Sequence, residues 1–132
     1  MDAKAKLDSM TPEEIETFTK ENCVFCKIVQ NKISSNIVYK DDDFLGILDI
    51  KPATNGHVLL FPREHITITP QLSDEVFAQM FIVAKKISNS ILKGMKAQGT
   101  SLLIANGISA GQKCQHVLLH IIPRYKNDEL EL

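Results

Sequence analysis

Apolar and polar positions along the chain follow two periods. Between Ser73 and Gly99 the apolar residues Val76, Met80, Val83, Ala84, Ile87, Ile91 and Met95 recur every three or four positions, which predicts one long helix with a single buried face, ending near Gly99. Elsewhere the apolar runs are short. IVYK and FLGILDI flank an acidic turn and read as a hairpin; GHVLLFP reads as a third strand, ended by Pro62, which has no N–H to give a ladder. SLLIAN and QHVLLHIIP supply two more strands, joined by the glycine-containing loop from Asn106 to Gln112. Upstream, Thr11, Pro12 and Glu14 form a capping-box pattern that opens a short helix running to about Glu21, with Ile15 and Phe18 on one face. A second short helical stretch, CVFCKIVQNKI, follows. The first helix lies outside the strand-rich remainder, so residues 1–22 read as an N-terminal helical extension.

A chain of 132 residues is long enough for one domain with its own core and short for two. Fifteen basic and sixteen acidic side chains leave a formal charge of -1, so no overall field draws in nucleic acid or an anionic membrane. Arg63 and Arg124, each just after a proline, are the sole arginines, which leaves few candidates for bidentate phosphate recognition. MDAKAKLDSM lacks the apolar core of a secretion signal, and no apolar run approaches the roughly 18 to 20 residues of a membrane span, so a soluble cytoplasmic protein is expected. Three cysteines make no disulfide framework, and the pair Cys23-Val-Phe-Cys26 is open to three readings: metal, redox or chance.

The stretch HVLLHIIPR places two of the four histidines in an apolar run. Strand alternation puts His116, Leu118, His120 and Ile122 on one face and Val117, Leu119 and Ile121 on the core side. At about 3.3 Å per residue the Cα atoms of His116 and His120 stand roughly 13 Å apart, too far for two ligands of one small ion. They belong to different sites.

HVLLHII matches, at every position but one, the signature His-x-His-x-His followed by two apolar residues, and from about Cys23 to Tyr125 the blocks CVFCKI, LDIKPATNGHVLLFPREH, the AGQ loop and HIIPR keep a familiar order. In these features the chain resembles the histidine triad (HIT) family of nucleotide hydrolases and transferases. The resemblance implies an α+β fold, a five-stranded antiparallel sheet with one long helix, dimerised; the domain would span 23–125, with 126–132 a C-terminal tail. The position that departs is Leu118. In the family the middle histidine attacks the α-phosphate and carries the nucleotidyl group, work a neutral imidazole nitrogen can do and leucine cannot. No catalytic nucleophile is therefore expected, with Leu118 in its place and His57 and His120 as supporting residues.

By the same resemblance Asp49 binds the ribose hydroxyls, as an acceptor-only carboxylate can. Val24, Phe25, Ile28, Ile47, Ile50 and Leu59 line the base cleft. Asn106, Gln112 and the backbone amides of Lys113 and Cys114 face the phosphate with His120, and His57 stands behind them. Lys113 replaces the small hydroxyl residue usual in the family. The CxFC pair is matched in relatives that carry structural zinc, here completed by His65 and His116; two thiolates and two imidazoles make the closed tetrahedral set of such sites. The expected protein binds a purine nucleoside monophosphate or related nucleotide, holds zinc, forms a homodimer, and has little or no hydrolase activity. The competing expectation is a nucleotide hydrolase, acting on phosphoramidates or dinucleoside polyphosphates, that keeps some activity by another route.

Overall fold

Thr11 and Ser73 start the two longer helices by hydrogen bonding. In the computed structural model, which describes residues 9–132, α1 spans Pro12–Glu21 and the Thr11 hydroxyl accepts the Glu14 N–H at 3.2 Å. Helix α2, Val24–Val29, begins at Cys23, whose Sγ accepts the Cys26 N–H. Helix α3, Asp74–Gly94, begins at Ser73, whose hydroxyl accepts the Val76 N–H. Such caps satisfy N–H groups that the first helical turn leaves without intrahelical partners.

Five strands, β1 (Ile37–Lys40), β2 (Phe44–Leu48), β3 (Val58–Pro62), β4 (Gly99–Leu103) and β5 (Leu119–Arg124), pair antiparallel in the order β1-β2-β3-β5-β4. The expected α+β architecture, one antiparallel five-stranded sheet and one long helix, is present. The acidic turn between β1 and β2 is closed by Asp41, whose Oδ1 accepts the N–H groups of Asp43 and Phe44. The β1–β2 register slips between Ile37 and Tyr39, whereas β4 pairs with β5 without a break from Gly99 opposite Arg124 to Leu103 opposite His120.

The central strands are covered on both faces. Phe44, Val58, Leu60, Leu119 and Ile121 point to α3 and meet Met80, Val83, Ala84, Ile87 and Ile91. Leu45, Ile47, Leu59 and Phe61 point the other way and meet Phe25, Cys26 and Ile28 of α2. Two-sided burial explains why β2 and β3 are continuous apolar runs rather than alternating ones. The second layer positions the site.

Several boundaries differ from the sequence expectation; helix α2 stops at Val29, short of the stretch expected to run to Ile33, and Asn31 beyond it takes a left-handed φ of 61°. Helix α3 stops at Gly94, not near Gly99, because Lys96 takes a left-handed φ of 56° and the Gln98 N–H already donates to Arg124 O, drawing the chain into β4. Strand β5 begins at Leu119, not Gln115: Val117 N–H donates to Ile66 O outside the ladder, and Pro62 O is taken by the imidazole of His116. With no partner strand beyond His120, β4 ends at Leu103 rather than Asn106. Beyond β5, Arg124 holds Asp128 through Nε to Oδ2 at 2.8 Å and Nη2 to Oδ1 at 3.0 Å, which ties down the first turn of the tail. Among the described residues no helix is long and apolar enough to cross a membrane.

Candidate functional site

The α2 face of the sheet carries two clusters of donor atoms, and His116 and His120 fall in different ones, as their spacing requires.

The first cluster joins Cys23 and Cys26 at the start of α2, His65 on the loop after β3, and His116 just before β5. Cys23 Sγ lies 3.3 Å from His116 Nδ1, Cys26 Sγ 3.2 Å from His65 Nδ1 and 3.7 Å from His116 Nδ1. A single helical turn, Cys23 to Cys26, and the hydrogen bond that fixes the His116 ring on Pro62 O bring these atoms together. His116 is fully buried and its Nε2 lies 2.8 Å from Pro62 O. A carbonyl can only accept, so Nε2 carries the proton and Nδ1 presents its lone pair to the two sulfurs. Burial pushes His116 down to about 4 and also lowers His65, where the charge of Lys20 adds to the fall and that of Glu16 opposes it. Burial, with a hydrogen bond and charge from Cys23, pushes the Cys26 thiol up to about 12. Neutral imidazoles and sulfur donors suit a soft divalent ion. With Zn–S near 2.3 Å and Zn–N near 2.0 Å, a tetrahedral site has sulfur-to-nitrogen edges of about 3.5 Å. The three contacts above, 3.2 to 3.7 Å, meet that requirement. The residues therefore fit zinc.

The second cluster joins Asp49 at the end of β2, His57 before β3 and His120 in β5. The Ala53 N–H donates to His57 Nδ1 at 3.0 Å, so the neutral ring keeps its proton on Nε2. His57 Nε2 lies 3.0 Å from His120 Nδ1, which must then accept, leaving the His120 proton on its own Nε2. Burial is the chief cause lowering both histidines; Asp49 opposes it in each, while His57 and Lys113 further lower His120. Both rings are neutral at pH 7. Asp49 Oδ2 stands 3.8 Å from His57 Nδ1, too far for a hydrogen bond, and its Oδ1 accepts the Lys51 N–H at 2.9 Å. Although these three residues are close enough to suggest a metal, the lone pairs of His57 Nδ1 and His120 Nδ1 are already occupied. The arrangement is a relay of donors ending on His120 Nε2, suited to an oxyanion.

The residues expected at the phosphate meet different fates. Gln112 Oε1 accepts the Gly107 N–H at 2.7 Å while its Nε2 donates to Thr67 O at 2.7 Å. Asn106 pairs reciprocally with Thr69, taking its N–H at 3.0 Å and donating to its hydroxyl at 2.7 Å. Both side chains thus clasp the loop to residues 67–69. The loop turns at Gly107 and Gly111, each with φ beyond 90°, where a side chain would be strained. Lys113 is exposed, and Cys114 is part-buried with Sγ 3.7 Å from His116 O. Of the base-cleft set, Phe25, Ile28, Ile47 and Leu59 share one buried cluster, against which Cys114 and Leu118 pack. Val24 and Ile50 stand outside it, Ile50 89% exposed.

Sequence reasoning missed the partners that orient these groups: the Pro62 carbonyl, the Ala53 amide, Thr67 and Thr69. A backbone amide or carbonyl has no residue-type signal, and the threonines lie some forty positions from their partners in the chain.

Comparison with known proteins places the same segments together. The HIT domain family model matches residues 30–127. The Protein hit of Bacillus subtilis is 42% identical over 105 residues, covering 80% of this chain and 72% of that protein. The adenylylsulfatase HINT3 of Arabidopsis thaliana is 38% identical over 116 residues, covering 87% of this chain and 59% of that longer protein. The crystal structure of a Zn-bound histidine triad family protein from Mycobacterium smegmatis superposes with a TM-score of 0.79 at 36% identity, covering 86% of this chain and 82% of the other.

Proposed function

The chain belongs to the histidine triad family, and from that premise we propose that it is a purine-nucleotide-binding member, built around a structural zinc, with little or no hydrolase activity. The observation that carries this reading is the relay from Ala53 through His57 to His120. It leaves His120 Nε2 as a hydrogen-bond donor and gives neither histidine a free lone pair on the nitrogens that are paired. A donor can hold a phosphate oxygen; it cannot take a proton from water. Leu118 stands two residues before His120, at the position where the family carries its nucleophile, and packs as an apolar side chain against the cluster of Phe25 and Leu59. The site keeps its means of binding an α-phosphate and lacks the group that would attack it.

In the bound state Asp49 accepts from the ribose hydroxyls with the oxygen that does not receive the Lys51 N–H. Phe25 and Ile28 support the base, and Ile50 folds over it, which accounts for so exposed an aliphatic side chain in the free protein. The amides of Lys113 and Cys114 meet the phosphate, with Asn106 and Gln112 holding the loop that presents them. Zinc, held by Cys23, Cys26, His65 and His116, supplies a fixed crosslink between α2, the loop after β3 and the start of β5. The domain occupies residues 23–125, and the protein works in the cytoplasm as a two-fold dimer. Light scattering at high concentration should give a particle of twice the 14.8 kDa chain mass; a monomer would reject the dimer.

The deciding experiment pairs calorimetry on nucleoside monophosphates with turnover assays on an adenosine phosphoramidate and on adenylyl sulfate, the latter because one plant relative is named an adenylylsulfatase. Binding without turnover supports the proposal. Asp49→Ala should weaken a purine monophosphate by about 1 to 3 kcal/mol through the loss of a charged acceptor. No heat with any purine nucleotide at millimolar concentration ends the binding reading. Turnover at ordinary enzymatic rates that depends on His57 or His120 replaces it with the hydrolase alternative.

A further inference from the structure

Asp49 and His57 stand at the two ends of the loop between β2 and β3, and they are held differently from its middle. At the base of the loop the Asp49 N–H donates to His57 O at 3.0 Å, which continues the ladder of Leu48 opposite Val58. Asp49 is thus fixed by the sheet. The Ala53 N–H, which sets the proton on His57, belongs to the middle of the loop, where the residues from Ile50 to Ala53 are all exposed. Water competes for an amide there, so its aim at His57 Nδ1 must come from its neighbours. Thr54 supplies it. Its hydroxyl donates to Pro123 O in β5 at 2.6 Å, while its carbonyl accepts the His57 N–H at 3.2 Å. One residue on, Asn55 O accepts the Tyr125 hydroxyl at 2.8 Å. Tyr125 is itself braced, because Asp128 accepts its N–H and that of Leu130 and holds Arg124 through two further bonds. The end of β5 and the turn beyond it therefore grip the loop at two consecutive residues, from 69 and 70 positions away in the chain.

We propose that Thr54 and Tyr125 are positioning residues of the nucleotide site: by clasping this loop to the end of β5 they hold the Ala53 N–H on His57 Nδ1, and so keep His120 Nε2 a hydrogen-bond donor to the phosphate. For its phosphate the inference rests on the nucleotide reading above. Each link is a hydrogen bond with one permitted direction. While the Ala53 amide donates to Nδ1, the neutral His57 ring carries its proton on Nε2 and donates from there to His120 Nδ1. If the amide swings away, either nitrogen of His57 can hold the proton. A His57 without a proton on Nε2 turns the pair round: His120 then donates from Nδ1 and presents a bare Nε2, whose lone pair repels a phosphate oxygen. The clasp excludes that state. Support of this kind fixes a binding group through the hydrogen bonds behind it, and here it makes residues 124–130 act on the nucleotide pocket.

The test uses the isotope-labelled full chain and reads which imidazole nitrogen carries the proton by long-range proton–nitrogen correlation, alongside calorimetry on adenosine monophosphate and on adenosine. Thr54→Val keeps the branched shape and removes the hydroxyl. It should convert His57 from one tautomer to a mixture and weaken adenosine monophosphate by about tenfold, the low end for a hydrogen bond to a charged group, while adenosine, held through Asp49, binds as in the parent. Tyr125→Phe should move both readouts in the same direction and by less, and it reads the same clasp should the Thr54 variant not fold. Thr54→Ser, which restores the hydroxyl, should return both. Ser88→Ala removes a 2.6 Å hydrogen bond between α3 and β4 and controls for a merely weakened fold; it should leave both unchanged. A parental His57 tautomer in the clasp variants, or a parental preference for the monophosphate over the nucleoside, overturns the proposal. If the parent binds neither ligand the nucleotide reading fails, and the tautomer of His57 in the same variants still decides whether the clasp sets the relay.

Discussion

Leu118→His should raise turnover of an adenosine phosphoramidate by about 100-fold or more over the parent chain, about 3 kcal/mol off the barrier. An imidazole at this position splits one difficult phosphoryl substitution into two easier ones, and the groups that would orient the attack are already placed. His120 offers its Nε2 proton, and the clasp of Asn106 and Gln112 to Thr69 and Thr67 presets the loop that faces the phosphate. Two effects limit the gain. Leu118 packs against an apolar cluster, so an imidazole there must find hydrogen-bond partners. Lys113 stands where the family resemblance implies a small hydroxyl, and it would not protonate a leaving group as that hydroxyl would. Recovery is therefore partial, with the second step slowed enough for a nucleotidyl-protein adduct to be seen by mass spectrometry. A variant no faster than its parent, with nucleotide still bound, would mean that the pocket does not hold an α-phosphate beside position 118.

Stripping zinc should lower the melting temperature by about 10 to 20 °C, the shift for a domain of this size when a ligand is present at roughly a thousandfold above its dissociation constant. The effect is large because the ion would join residues as distant in the chain as Cys23 and His116. Cys23→Ala and Cys26→Ala should show the low value without chelator and no further fall with it. Elemental analysis of the parent should give one zinc per chain; well under half an equivalent would refute the site. The sign of the pH dependence follows from Cys26. Its thiol is pushed up to about 12, so at neutral pH the metal must displace that proton. Apparent affinity should then weaken by about tenfold or more for each unit the pH falls. The lowered His65 and the His116 ring, pushed down to about 4, work in the other direction, since burial favours the proton-free form of each. An affinity that is flat from pH 8 to 6 would exclude thiolate ligation.

What could be read from the sequence was whatever rests on side-chain type and local period. Thr11 and Ser73 announce helix starts because a capping hydroxyl works within three residues of itself. The two-face partition of Phe44, Val58 and Leu60 against Leu45, Leu59 and Phe61 is already present in the uninterrupted apolar runs of β2 and β3. The helix end was misplaced because Gly99 looks like a stop signal, whereas the stop is imposed by the bond from Gln98 to Arg124, a tertiary contact. The early start assigned to β5 has a similar cause: His116, Val117 and Leu118 alternate as a strand does, but the Pro62 carbonyl that would extend the ladder is held by an imidazole. At the site, the convergence of Cys23, Cys26, His65 and His116 could be anticipated because thiols and imidazoles declare their chemistry. The protonation pattern of His57 and His120 could not, because it is set by one backbone amide, that of Ala53.

The two outer strands of the sheet are not alike, and that difference governs what the protein does at high concentration. The β4 edge keeps unbroken register and exposes Leu102 and Leu103, so it can accept another strand along its whole length. The β1 edge has a slipped register between Ile37 and Tyr39, which twists it away from a flat partner. A sheet receptive at one edge alone would be satisfied by a single edge-to-edge encounter and would offer no second docking edge to a third molecule. Growth into ribbons is thereby closed off by geometry, so concentrated solutions should remain clear unless the β1 irregularity is removed.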